Sequence, residues 1–270
     1  MAEKSYVLGT YDEEIERLGL QHRVWRSRVT DCWARAGITV GKKVLDVGAG
    51  PGYASIDLAQ IVGHEGKVLA LELSDRFVET GRARAQAVGL ENVEFSQCDL
   101  VNDQISDANF DFAWCRWVMS FVSDPSVVIG KVANALKTGG KFVLHEYLEY
   151  GTWGFIPPRP EQTAFQELTM KNWRDAGGEP NIGFQLPKLL AEAGFTIETA
   201  NPILFCMRPG DYAWQWATAW VKSSGKRLVE SGELSQDRFN LLVNEFAEAE
   251  SNPESLMLIP SVFEIIARKQ

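Results

Sequence analysis

Cysteine is scarce in this chain, and positive charge is nowhere concentrated. The 270 residues hold four cysteines: Cys32, Cys98, Cys115 and Cys206. They form no CxxC pair and no Cys/His cluster, so neither a disulfide framework nor a zinc site is expected. Acidic residues outnumber basic ones by 36 to 27, giving a net charge of −9 and a pI near 5.0. A phosphate-backbone binder needs a basic face, so nucleic acid is not the expected partner. No run reaches the roughly 18 apolar residues a membrane span requires. The opening MAEKSYVLGTYDEE has neither an apolar core nor a small-residue cleavage site, so it does not read as a secretory signal. The reducing cytoplasm is the expected compartment. Tryptophan is absent over residues 41–113, although the chain has nine.

What is present is globular. Hydrophobic residues at 45% and charged residues at 23% exclude a disordered, collagen-like or coiled-coil chain. Residues 12–36 repeat apolar side chains at three- and four-residue steps and read as a helix. From 43 to 147 strands and helices alternate. The strands are KVLDVG (43–48), KVLALEL (67–73), NVEFSQ (92–97), FDFAWC (110–115) and KFVLHEY (141–147). The helices run from Pro51 to about Ile61, from Ser74 to about Val88, and over 124–137. This alternation implies a parallel sheet covered on both faces.

Beyond residue 150 the pattern changes. Helices are expected near 161–175 and 185–193, and a strand over 195–207 that Pro202 marks as bulged or at an edge. Two helices follow over 211–250, and SVFEIIARK (261–269) is a last strand. The organisation is a single compact α/β domain. Residues 1–40 are expected to form an N-terminal helical cap, 41–150 a Rossmann-like core and 151–194 a helical insertion. Residues 195–270 supply the C-terminal strands around a helical insertion at about 208–258.

The strongest signal is VLDVGAGPGY (44–53), which runs from a buried strand through a glycine turn into a helix. Such a turn lets backbone approach a ligand and offers free N–H groups at the helix start. A dinucleotide fingerprint needs a small third residue, and Tyr53 stands there. The spacing is instead G-x-G-x-G, with Gly48, Gly50 and Gly52 as binding candidates. Glu72 ends the second strand, where a carboxylate can accept from a ribose diol. Asp99 follows the third strand, placed to accept from an adenine amino group. All lie at the carboxyl edge of the sheet, where open α/β folds bind ligands.

In these residues the chain resembles the class I S-adenosylmethionine-dependent methyltransferases. The matching segments are VLDVGAGPG (44–52), LEL (71–73), QCDL (97–100), FDFAWCRWVMSFVSDP (110–125) and LKTGGKFVLHE (136–146). YVLGTYDEEIERLGLQH resembles a small-molecule branch near the ubiquinone/menaquinone-biosynthesis group. The resemblance implies a Rossmann-like, seven-stranded, mostly parallel sheet with helices on both faces and a reversed last strand. It places the last two strands as a reversed hairpin at one edge. The implied cofactor is S-adenosyl-L-methionine, with Ala49, Leu73 and Leu100 adding contacts and Tyr6 and Gln21 covering it. Arg116, after the fourth strand, would meet the methionyl carboxylate or the substrate.

A general base for O- or N-methylation should stand near the end of the fifth strand. His145 and Glu146 are the candidates, and one of the two should face the site. His22 reads as a core histidine and His64 as solvated. Trp117, Trp153, Trp216 and Trp220 either line an apolar, aromatic acceptor cavity or merely pack the cap onto the sheet. The D/N-P-P-Y/F motif of base N-methylation is absent, and no Pro-Cys nucleophile follows the fourth strand. The expected partner is therefore a small organic molecule. The chain itself is expected to be a monomer or homodimer, and no metal is expected. A cofactor-binding scaffold with a non-methylating reaction such as cyclisation, or an inactive regulatory partner, is the rival reading.

Overall fold

The computed structural model describes residues 11–270; Tyr6 lies outside them. A seven-stranded sheet has the order β3-β2-β1-β4-β5-β10-β7. The strands are β1 (Lys43–Val47), β2 (Lys67–Glu72), β3 (Val93–Gln97), β4 (Phe110–Arg116), β5 (Leu136–Glu149), β7 (Phe195–Ile203) and β10 (Ser261–Lys269). Val44, Leu45 and Val47 are fully buried on both sides of β1, as expected of a central parallel strand with both faces covered. The first five strands pair parallel to one another. β10 runs antiparallel to both β5 and β7. The last strand alone is therefore reversed, as expected, and it pairs antiparallel with β7 at one edge of the sheet. Pro202 lies in β7, the edge strand, where its missing N–H costs no ladder bond on the open side.

Helices α2 (Tyr53–Val62), α3 (Asp75–Ala87), α4 (Pro125–Ala135) and α6 (Leu186–Glu192) flank the sheet. Ser74 and Asp124 cap α3 and α4 by accepting from Phe77 N and Val127 N. Helix α1 (Asp12–Ala36) crosses one face and buries Trp25, Val29, Cys32, Trp33 and Ala36. Its Trp33 meets Trp114 of β4 edge-on, with ring centroids 5.2 Å apart. Helices α5 (Pro160–Asp175), α7 (Trp214–Glu230) and α8 (Gln236–Ser251) form the cover.

A second, three-stranded sheet was not foreseen. It joins β6 (Gly154–Ile156), β9 (Leu256–Leu258) and β8 (Cys206–Met207) in antiparallel pairs. Three-residue strands carry too little pattern to stand out in sequence. The four cysteines are free. Among the described residues, no helix is long and apolar enough to cross a membrane.

Candidate active site

One cleft opens at the carboxyl edge of the sheet, roofed by α1 and α7. It is lined by Gly48, Ala49, Gly50, Glu72, Leu73, Asp99, Leu100, Arg116 and Gln21 from the expected cofactor set. Trp117, Trp153, Trp216 and Trp220 line it too.

The three glycines divide the work. All three are left-handed, with φ of 73° at Gly48, 56° at Gly50 and 84° at Gly52, a region that favours glycine. A Cβ on Gly48 would fall 2.3 Å from Val118 Cγ2, whereas one on Gly50 would meet nothing within 4 Å. Gly52 is not in the cleft wall. A Cβ there would strike the Phe95 ring at 2.7 Å and Gly81 Cα at 3.1 Å. Gly52 thus lets the start of α2 pack against β3 and α3, a role distinct from the expected ligand contact.

Glu72 is 5% exposed. Its Oε2 accepts from Gly50 N at 2.8 Å and its Oε1 from Ser74 N at 3.0 Å. The carboxylate therefore ties the glycine loop to the end of β2. Burial raises its pKa above the ordinary carboxylate value, while backbone N–H donors oppose the rise. Asp99 accepts from Val101 N, Asn102 N and Asn102 Nδ2, which orders the turn after β3. Asp46, which also lines the cleft, is a carboxylate that the site candidates omitted. It accepts from Ser55 Oγ at 2.6 Å. Burial pushes its pKa up to about 6, against the pull of Ser55 and the Arg116 charge.

Arg116 is half-buried against His22 of α1. Its Nη1 has no hydrogen-bond partner among the described residues. Burial lowers its pKa to about 10, with Asp46 the nearest opposing charge. Its guanidinium lies 5.2 Å from the Trp117 ring centroid. Trp117 has φ of 51°, rare for a bulky residue. That turn sets its ring between Tyr147 and Trp216, at centroid distances of 5.5 and 5.7 Å and nearly parallel to both.

The candidate bases lie elsewhere. Neither His145 nor Glu146 reaches the cleft, and both are fully buried. Strand β5 runs on to Glu149, so these residues are inside the strand and not at its end. Glu146 instead accepts from Val118 N, Met119 N, Ser120 N and Ser120 Oγ. It fixes the turn that carries Trp117. His145 contacts Glu264 at 3.1 Å and packs edge-on to Trp114. On the His145 face, Tyr147 is the β5 residue that enters the cleft. Cys32, His145 and Glu264 also bring metal-ligating atoms within 4.8 Å of one another. Glu264 there already accepts from Arg35 and Asn201, so the trio serves as a buried bridge between α1, β5 and β10.

Tyr150, Trp173, Phe121 and Arg17 complete the wall; none was a candidate. Gln21 Oε1 accepts from Trp216 Nε1 at 3.0 Å and from Arg17 Nη1 at 3.2 Å, joining the two roof helices. His22 is buried and hydrogen-bonded, and His64 is exposed, both as expected.

A glycine cradle, a strand-end carboxylate and an aromatic chamber on an open sheet define a nucleotide-cofactor enzyme fold. Residues 38–176 match the family described as Methyltransferase domain, and the chain belongs to that family. A ubiquinone/menaquinone biosynthesis C-methyltransferase of Psychromonas ingrahamii is 28% identical over 127 residues, 47% of this chain and 49% of that protein. The chain spans about half the length of the curated relatives it matches.

Two solved structures share the fold. One is a geranyl diphosphate C-methyltransferase from Streptomyces coelicolor A3(2), solved with S-adenosyl-L-homocysteine. Its TM-score is 0.60 at 13% identity, covering 92% of this chain and 77% of that one. The other is the [4+2]-cyclase SpnF, with a TM-score of 0.58 at 19% identity, covering 90% and 80%. The cofactor is S-adenosyl-L-methionine. The residues present fit it: an open backbone cradle at Gly50, a buried acid at Glu72 and an unpartnered Nη1 on Arg116.

Proposed function

We propose that this chain transfers the methyl group of S-adenosyl-L-methionine to an O, N or C nucleophile of a small apolar or aromatic molecule. The observation that carries the reading is continuity. One cleft joins the glycine cradle and Glu72 to a chamber walled by Trp117, Tyr147, Tyr150, Trp153, Trp216 and Trp220. The bound cofactor would supply an electrophilic methyl group on a sulfonium. Glu72 and the backbone of Gly48–Gly50 would hold its nucleoside. Asp99 and Leu100 would border the base, and Arg116 would take the carboxylate. Tyr6, Ala49, Leu73 and Gln21 remain proposed cofactor contacts.

The aromatic wall would exclude water and hold the nucleophile in line, which is the main demand of a displacement reaction. Burial pushes the Tyr147 phenol above its ordinary pKa, so it donates a hydrogen bond and does not take a proton. The carboxylates that line the cleft, Asp46, Glu72 and Asp99, stand at or near the ends of β1, β2 and β3, and the elements that supply the aromatic wall add none among the described residues. A nucleophile that needs no protein base, such as an ionised phenol or an activated ring carbon, suits such a wall. The quinone-pathway relative favours an acceptor of this kind.

That wall and the likeness to a cyclase also support a second reading, a non-methylating reaction in the same chamber. Transfer of labelled methyl from the cofactor to a panel of phenols, quinols and polyketides tests the first reading. Label incorporation is the expected result. Tight S-adenosylhomocysteine binding with no transfer across the panel favours the second, and no binding removes both.

A further inference from the structure

Behind Trp173 and Trp220 the aromatic chamber adjoins a second cavity of about 430 Å³, between the end of α5 and the middle of α7. Phe121 and both indoles line the two cavities in common. The second cavity differs in chemistry. Among the described residues, Asn172 Nδ2, Trp173 Nε1, Ser224 Oγ and Arg227 Nε are buried there without a hydrogen-bond partner, while Trp220 is paired with Tyr150. Buried polar groups are nearly always satisfied in folded proteins. Four orphans around one cavity mark a place where something polar belongs. Indole and guanidinium nitrogens can only donate, and the serine hydroxyl can do so as well. The complement is a group rich in lone pairs. Arg227 adds a positive charge that is partly withdrawn from water. The acids that line the cavity, Asp175 and Glu233, are exposed. Asp175 pairs with Lys171, and Glu233 accepts from Ser231 Oγ and, with Glu14, is the charge that partly offsets Arg227.

We propose that this cavity is a second compartment of the acceptor site and takes the carboxylate of an acceptor whose aromatic body lies in the first. The inference rests on the reading of the cleft as an acceptor site, and it narrows the substrate class to aromatic acids. Trp173 and Trp220 stand between the compartments, so the acid and the methylated atom lie at opposite ends of the molecule. A planar guanidinium matches a carboxylate with two parallel bonds.

The test is calorimetry on the S-adenosylhomocysteine complex with two probes, 3-(2-naphthyl)propanoate and its amide. The carboxylate is expected to bind at least about tenfold more tightly than the amide, the ordinary strength of a charge-assisted bond. Arg227→Gln should abolish that preference, and Arg227→Lys should retain part of it. S-adenosylhomocysteine affinity should be the same in all three proteins. Equal affinity for the two probes, no binding of either, or a preference that survives in Arg227→Gln overturns the proposal, and the cavity then holds water only. Failure of S-adenosylhomocysteine to bind at all would instead strike the methyltransferase reading, so the two failures are distinguishable.

Discussion

Arg116 Nη2 lies 3.4 Å from His22 Nδ1. A guanidinium only donates, so the imidazole accepts at Nδ1 and carries its proton on Nε2. That proton points to Asp57 Oδ2 at 3.1 Å. Burial lowers the pKa of His22, which keeps the ring neutral and able to accept. One arm of Arg116 is thereby held, while Nη1 has no partner. Arg116→Met is expected to weaken S-adenosylhomocysteine binding by roughly 10- to 100-fold, the loss of about 1.5–3 kcal/mol for a bond between charged groups. Calorimetry measures it. Unchanged affinity would assign the arginine to the acceptor or to packing.

Glu72 has two backbone donors already, and a carboxylate has lone pairs for more. Glu72→Ala should lower affinity for S-adenosylhomocysteine by about 1.5–3 kcal/mol. Adenine alone, which lacks the ribose, should lose much less. Equal losses for the two ligands would mean that the substitution collapses the glycine loop.

Asp46 gives the site a pH dependence. Its carboxyl titrates near 6 in the folded protein, above its ordinary 3.8. The charged form therefore appears only as pH rises through about 6. S-adenosylhomocysteine carries an ammonium group, so its affinity should increase from about pH 5 to about pH 7, by up to an order of magnitude. Asp46→Asn should flatten the profile. A flat wild-type profile would show that the carboxylate does not sense the ligand.

Removing the Glu146 carboxylate strands three backbone N–H groups and one hydroxyl in a dry interior. Glu146→Ala should cost about 2–4 kcal/mol of stability, read by urea denaturation. Folded Glu146→Ala with full stability and no methyl transfer would return the residue to the list of bases.

Acid should weaken the bridge at Glu264. Burial pushes its pKa up, but the hydrogen bonds that His145, Arg35 and Asn201 make to the charged form prevail and hold it at about 2, below the ordinary 4.5. The stabilisation is complete above about pH 4.5 and is lost as pH falls toward 2. It amounts to on the order of 3 kcal/mol. The stability gap between wild type and Glu264→Gln should therefore shrink as the pH of the urea titration is lowered. A constant gap would locate the effect in packing.

The cofactor half was legible because its chemistry is local. Gly48, Gly50, Glu72 and Asp99 each sit at or just past a strand end that apolar runs and glycines delimit within a few residues; Asp46, inside β1, carried no such mark. The acceptor half was only partly so. The wall tryptophans stood out by type, but Tyr147, Tyr150 and Trp173 did not, since an aromatic near a strand end or on a helix has no signature of its own. His145 and Glu146 illustrate the limit most sharply. The alternation of faces was right, yet two further residues of strand moved the mouth of the cleft from position 145 to 147. The β10 inversion depends on pairings between distant segments that no local pattern encodes, and it was expected only through the resemblance.

The small sheet bears on the order in which the enzyme is made. The pairing of Gly154 with Leu258 cannot form until the chain has been synthesised past the second of them. The glycine turn, Glu72 and Arg116, by contrast, all lie in the first half of the chain. A nascent chain therefore carries every described residue of the proposed nucleoside site long before it carries the proposed acceptor chamber, and the indoles of the cover remain hydrophobic liabilities until the closing strands arrive.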